Sequence, residues 1–414
     1  MRARKTRSET IMRLKLGTAF LACVLLTTGC WDRQEMNDRA IILGWGMDLN
    51  GDGRYVATAN IVVPGGTKSG GTEGGKNQYL IETAYGASDG DAGQNMQKKL
   101  PRVIFASHRR NVFIGEALAR HGIADVLDEY ARNPLVRLRT NIFVVKGGTA
   151  QEAMSLGSRL EKNPTISVQK IQEVMGAPVS RSLLDFFIMA NGASGGSVIP
   201  IVEIVSPGQT AKKGEDTDNA AGSELALTGS AVFDRNLKLK GYLGFDNFWV
   251  RLWIAQKLDH RVFTIRMGKE RETVTIPAMR FKSRIVPKIN GEEVSFTVWL
   301  SGEGEINENN ANLDLSKPDN VKKVEDELNR RLTEKVEQTV ALVQKQYKAD
   351  IFELGETLHR KHPYVWKRMK KDWDRRFVNA DIEFRVHMKI SGTGLTGKSL
   401  VPGVEDKDNG ANQQ

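Results

Sequence analysis

Ala40-Ile41-Ile42-Leu43-Gly44-Trp45-Gly46-Met47-Asp48, then Asn50-Gly51-Asp52-Gly53, then the run from Arg54 to Val63, is the stretch that decides the fold class of this 414-residue chain. Two runs rich in β-branched residues are separated by Asn-Gly and Asp-Gly, residues that reach the positive φ angles of tight hairpins. A β-hairpin is therefore expected over residues 40–63, ended by Pro64. Residues 65–76 are glycine-rich and polar, the composition of a flexible surface loop, and Gln78 to Tyr85 resumes as a strand. Beyond it, a helix from Ser88 to Leu100, a strand Asn111 to Ile114, a helix Glu116 to Ala131 and a strand Asn141 to Lys146 alternate. The next helix carries Thr149 and Glu152 at capping-box spacing. Such alternation predicts a mixed α/β sheet.

Working toward the C-terminus, strands Pro200 to Val205 and Ala226 to Phe233 flank residues 207–223, whose Gly, Ser, Asp and Lys content predicts a flexible segment. Phe245 to Leu258 reads as an amphipathic helix bearing Phe248, Trp249, Leu252 and Trp253, aromatics that pack a core or bind a partner. Two long strands, Glu272 to Ile285 and Glu292 to Leu300, precede the longest helix. Its Val321, Val324, Leu328, Leu332, Val336, Val340, Val343 and Tyr347 recur every three or four residues, a stripe for its own sheet or for a coiled-coil partner. In Asp381 to Ile390 the apolar residues alternate, as one covered sheet face requires. The fold class is α/β mixed (α+β), with mixed and antiparallel sheets and a long C-terminal amphipathic helix. Three domains are expected, 31–148, 149–267 and 268–396, followed by a disordered tail, 397–414.

The chain is 40% hydrophobic and 27% charged, enough apolar material for several packed domains and neither collagenous nor polytopic. Its formal charge of +10 is concentrated at one end: residues 1–29 hold six basic side chains against Glu9, leaving 54 minus 49, or +5, for the rest. That end has a basic run, an apolar core from Leu16 to Leu26 and the small-residue site Thr27-Thr28-Gly29-Cys30, the parts of a signal peptide spanning 1–29. The site resembles a bacterial lipoprotein box, which implies acylation of Cys30 and a mature chain beginning there. The other cysteine, Cys23, lies in the removed core, so disulfides, thiolate zinc sites and cysteine nucleophiles are excluded from the mature body.

Cys30 is followed by Trp31-Asp32, an acidic segment with Asn37, the apolar strand, and Gly44-Trp45-Gly46-Met47-Asp48. This pattern resembles the C-subunit lipoproteins of spore germinant receptors, the Ger(x)C family. Further marks are Leu227-Thr228-Gly229-Ser230-Ala231-Val232-Phe233, Gln346, Asp350-Ile351-Phe352, Pro363, Trp366, Trp373 and Phe377. The resemblance implies a lipid-anchored, non-catalytic scaffold or transducer in nutrient-triggered germination. It would sit on the outer face of the spore inner membrane beside membrane-embedded A and B subunits. A substrate-binding lipoprotein of a transport system is the alternative, and would need a ligand cleft between domains.

Patterns that suggest chemistry fail on inspection, and no catalytic, cofactor or metal residue is expected. Asp48-x-Asn50-x-Asp52-Gly53 begins like a calcium loop, but its twelfth position is Ala59, where a bidentate glutamate is needed. Gly192-Ala193-Ser194-Gly195-Gly196 has the Gly-x-Ser-x-Gly spacing but runs from helix to strand, the reverse of a nucleophile elbow. His359-x-x-His362 lacks a third ligand at recognisable spacing. The basic run Lys367 to Lys371 reads as a solvated helix face or a lipid-headgroup contact; nucleic acid is excluded for an exported protein.

Overall fold

The computed structural model describes residues 15–18, 35–62, 79–134, 136–156, 161, 163–175, 182–205, 223–268, 271–311 and 313–394. The expected signal peptide apart from 15–18, Cys30, the loop 65–76, the segment 207–223 apart from Ser223, and the tail 397–414 lie outside these residues.

The hairpin forms as its turn residues dictate. β1 (Arg39–Leu49) pairs antiparallel with β2 (Tyr55–Val62), starting at Leu49↔Tyr55. Asn50 Oδ1 accepts the Arg54 N–H at 2.9 Å, and Gly53 takes φ +82°, a left-handed value that glycine adopts without cost. β3 (Tyr79–Gly86) extends the hairpin. On the other side of β1, the strands β5 (Asn111–Gly115), β6 (Asn141–Lys146) and β7 (Ser197–Val205) run parallel to it, and β4 (Val103–Phe105) pairs with its first residues. β8 (Glu224–Phe233) and β9 (Leu239–Gly244) close the order β3-β2-β1-β5-β6-β7-β8-β9, a nine-stranded mixed sheet with β4 included.

Parallel strands are buried on both faces, and alternate residues of β5 and β6 enter separate cores. Val112, Ile114, Ile142 and Val144 pack with α1 (Asp89–Gln97), α2 (Glu116–His121), α3 (Ala124–Arg132) and α6 (Leu183–Ala190). Phe113, Phe143 and Val145 pack with α4 (Ala150–Ser155) and α5 (Pro164–Met175). The expected single helix from Glu116 to Ala131 is two, because Gly122 at φ +125° ends α2. Thr149 and Glu152 form the capping box of α4, as their spacing predicts. At Gly46 a Cβ would lie 2.8 Å from Met154 Sδ and 2.9 Å from Ala150 Cβ, so the glycine is what lets α4 press onto β1.

The second sheet contains β10 (His260–Arg266), β11 (Thr273–Asn290), β12 (Glu293–Glu305), β13 (Glu308–Asn309) and β14 (Asp381–Gly392), in the order β10-β11-β12-β14 with β13 on β11. α7 (Phe245–Ile254) and α8 (Pro318–Leu342) cover one face. Phe248, Trp249, Leu252 and Trp253 are all buried there, the core reading of that helix. The smaller α9 (Leu354–Lys361), α10 (Pro363–Met369) and α11 (Trp373–Asn379) follow α8 in the chain and add Leu358, Trp366, Trp373 and Phe377 to the same core.

Two sheets account for the described strands, and strands pair across both of the expected boundaries, 148/149 and 267/268. β6 and β7 lie on opposite sides of the first boundary yet pair at Val144↔Ile201, and β10 and β11 pair across the second at Arg266↔Thr273. The parallel pairing of β6 with β7 needs a long crossover, here α4 to α6, and leaves no local signature.

The α8 stripe faces β14. Val324, Leu328, Leu332, Val336 and Val340 are buried, while Asn329 and Glu325 satisfy the outer edge of β14 by bonding Met388 and the Ile390 N–H. An edge strand sealed this way is protected from pairing with another chain. Leu332→Ala removes a side chain only 4% exposed, so the unfolding midpoint should fall by the equivalent of about 2–5 kcal/mol. An unchanged midpoint in denaturant titration would show that the stripe does not pack as described.

Candidate functional site

Among the described residues, the joint between the two sheets is a densely bonded polar site. α8 ends in a wider turn, Val343–Tyr347, closed by Lys348 at φ 52°. The chain then places Asp350, 1% exposed, beneath the start of α9. Glu353, the residue before α9, makes no side-chain cap, and Asp350 does that work instead. Its Oδ1 accepts the N–H groups of Phe352 at 3.1 Å and Leu354 at 3.3 Å. Its Oδ2 accepts Gly355 N–H at 2.7 Å and Trp373 Nε1–H at 3.1 Å. Burial pushes the carboxyl up from its ordinary value, against the opposing pull of the Gly355, Ser194, Leu354 and Trp373 donors.

From the first sheet, the turn preceding β7 docks against this carboxylate. Gly195 and Asp350 form a parallel bridge, Ser194 Oγ accepts Glu356 N–H at 3.1 Å, and Glu356 Oε2 accepts Ala193 N–H at 3.2 Å. A Cβ on Gly355 would stand 2.7 Å from Trp373 Nε1 and 3.1 Å from Ser194 Cα, so only glycine lets the three segments meet. Nearby, Arg251 of α7 is 1% exposed; it donates from Nε to the Ile351 carbonyl at 3.1 Å and from Nη2 to Glu353 at 3.3 Å. Ser194, at the centre of the Gly-x-Ser-x-Gly spacing, is thus a buried tie between sheets and runs from α6 into β7.

The remaining sequence patterns have structural roles. Asp48, first in the calcium-like spacing, turns inward to cap α4, accepting Ala150 N–H at 2.7 Å and Gln151 N–H at 3.1 Å; burial pushes its carboxyl up to about 6. His359 lies in α9 while His362 lies past its end and starts α10, so the two imidazoles do not share a helical face. Lys367, Arg368, Lys370 and Lys371 are exposed while Trp366 and Met369 of the same segment are buried, a solvated face. Among the described residues no helix is long and apolar enough to cross a membrane.

One cleft carries unusual electrostatics that the sequence did not signal. Between α1 and α3, adjoining hollows of about 570 and 360 Å³ share Asp89, Gly90, Gln94 and Glu129. Asp89 is 6% exposed and accepts Trp45 Nε1–H at 3.0 Å; burial pushes its carboxyl up to about 7 although that bond pulls it down. Arg109 lies over the Tyr130 ring at 4.6 Å and donates to its hydroxyl at 3.0 Å. The cleft is internal to the first sheet unit and is not a between-domain site of the kind the transport alternative needs.

Residues 32–204 match the family described as spore germination protein N-terminal domain, and residues 228–394 match that described as spore germination B3/GerAC like, C-terminal. The chain belongs to the GerAC-like, Ger(x)C family of spore germination proteins. It is 26% identical to spore germination protein KC of Bacillus subtilis strain 168, over 94% of this chain and 98% of that protein. It is 23% identical to spore germination protein B3 of the same organism, over 91% and 96%. The fold is similar to the crystal structure of the GerBC protein, with a TM-score of 0.55 and 19% identity over 84% of this chain and 97% of that one. In this Ger(x)C protein the two matched regions meet within the nine-stranded sheet: β1–β7 belong to the first, while β8 and β9 lie largely in the second.

Proposed function

We propose that this Ger(x)C protein is the lipid-anchored C subunit of a spore germinant receptor, a non-catalytic scaffold and transducer on the outer face of the spore inner membrane, beside membrane-embedded A and B subunits. The joint at Asp350 carries the reading. It binds segments of both sheets through one buried carboxylate and one buried hydroxyl, so a force applied to either sheet is passed to the other without an opening cleft. The two places where catalysis could be sought, Ser194 and the His359–His362 pair, are occupied by structural bonds or separated by a helix end. Cys30 supplies the anchor in this proposal.

Thermal unfolding of the purified protein against a panel of nutrient germinants tests the transducer role. A ligand selective for the native state stabilises it by about 2.7 kcal/mol at a hundred times its Kd. The expected outcome is no germinant-specific rise in Tm. A selective rise, abolished by Asp89→Asn in the α1–α3 cleft, would make this subunit a sensor and overturn the transducer reading.

A further inference from the structure

We infer that the end of the nine-stranded sheet where β1, β4, β5 and β6 begin is a docking face for an anionic lipid bilayer. Of seven large apolar side chains exposed in the first sheet unit, five (Leu80, Val103, Leu138, Leu184 and Ile188) map to this end; Tyr85 lies at the other. Val103 pairs with Arg39, the first residue of β1, and Leu80 is in register with Ile61 and so with Ile42. Leu138 is in the turn before β6, and α6 is pinned to that turn: Leu184 N–H donates to the Leu138 carbonyl at 2.8 Å and Leu183 N–H to that of Thr140 at 2.9 Å. α5 reaches the same end, where Arg110, just before β5, bonds Gln169 at 3.2 Å.

The charge around these residues is mixed, with Asp38 and Glu173 exposed, but it includes three arginines placed to meet lipid phosphates. Arg137 and Arg139 flank Leu138, Arg102 precedes Val103, all three are exposed, and none forms an ion pair among the described residues. Asp185, the carboxylate on α6, is engaged in capping Ser182. From β3 to β6 the residues span four strand spacings, about 20 Å. That is an extended surface rather than a pocket, suited to a flat partner. The inference rests on the Cys30 anchor in one respect: fully extended, residues 30 to 39 reach at most about 30 Å, which holds this end of the sheet, where β1 starts, near the bilayer. A tethered body presenting apolar side chains and unpaired guanidinium groups to an anionic surface gains both burial and headgroup attraction.

The test uses the full lipidated protein reconstituted into vesicles of phosphatidylcholine alone or phosphatidylcholine with phosphatidylglycerol, read by amide hydrogen exchange. Residues 136–140 and α6 should exchange several-fold more slowly on the anionic vesicles. Arg137→Gln with Arg139→Gln should erase that difference, and Leu184→Ser with Ile188→Ser should reduce protection on both vesicles at an unchanged melting temperature. Equal exchange on both vesicles overturns the inference, and protection that requires other receptor subunits assigns the face to a protein partner instead. Failure of the anchor reading is distinguishable, because it appears as a Cys30 without acyl mass; the same vesicle comparison can then be made with the protein tethered at its N-terminus by a histidine tag on nickel-chelating lipid.

Discussion

Asp350→Ala is expected to destabilise the protein more than any other single exchange at the joint. The carboxylate accepts four N–H groups, three from the backbone entering α9 and one from Trp373. Each buried donor left without an acceptor costs about 1–3 kcal/mol. Even if water reaches two of the four, the other two set a loss of about 2–6 kcal/mol. Asp350→Asn should not rescue it: with the amide oxygen at the Oδ1 position, the NH2 group faces the Gly355 N–H and the Trp373 Nε1–H, donor against donor. Urea unfolding followed by tryptophan fluorescence reads the loss of stability, with Trp373 at the joint among the chain's seven tryptophans. The two sheets should also uncouple, so spores carrying the variant should germinate weakly at normal protein abundance measured by blotting. A midpoint within error of wild type for both substitutions would remove the joint from any account of how the sheets are held together.

The sequence displayed those parts of the fold that neighbouring residues write together. The Asn50 to Gly53 hairpin, the Thr149–Glu152 capping box, the α8 stripe and the alternation in β14 each complete their pattern within a few residues or turns, and each occurs as expected. Pairings made across long stretches of chain left no such trace. The β6–β7 ladder spans a crossover of three helices, so nothing local links the two strands across the boundary expected at 148/149. The joint is the same case: Gly192 to Gly196 reads correctly as a helix-to-strand turn, but its partner is 162 residues away in the Ser194–Glu356 bond. Asp350 and Trp373 stand out in sequence as family marks, and their chemistry becomes visible once the carboxylate and the indole are 3.1 Å apart. The Asp89 cleft is likewise assembled from Trp45, Arg109 and Tyr130 on separate elements, none at a spacing that motif or periodicity would reveal.

Cys30→Ala is expected to have the largest effect on function with the smallest effect on fold. In the proposed lipoprotein no other cysteine could replace that sulfur, since the chain has two and Cys23 would be removed with the signal peptide. In the proposed anchor two long acyl chains enter the bilayer, at about 0.8 kcal/mol per buried methylene, well beyond the marginal hold of a single chain. The +5 body and the sheet-end face cannot substitute for that. Lys and Arg near an anionic surface contribute about 1 kcal/mol each and weaken with salt, so they orient a tethered protein rather than retain an untethered one. The fold should survive, because β1 starts at Arg39 and the described cores begin at Ala40. The alanine protein should therefore melt like wild type, lack acyl mass, leave the membrane fraction or retain its signal peptide, and support a weaker germination response. Membrane fractionation, mass analysis of the mature N-terminus and a nutrient germination assay decide it. An unacylated variant that stays in a fully responsive receptor would mean that protein contacts suffice for assembly, and a wild-type protein without acyl mass at Cys30 would refute the lipoprotein reading itself.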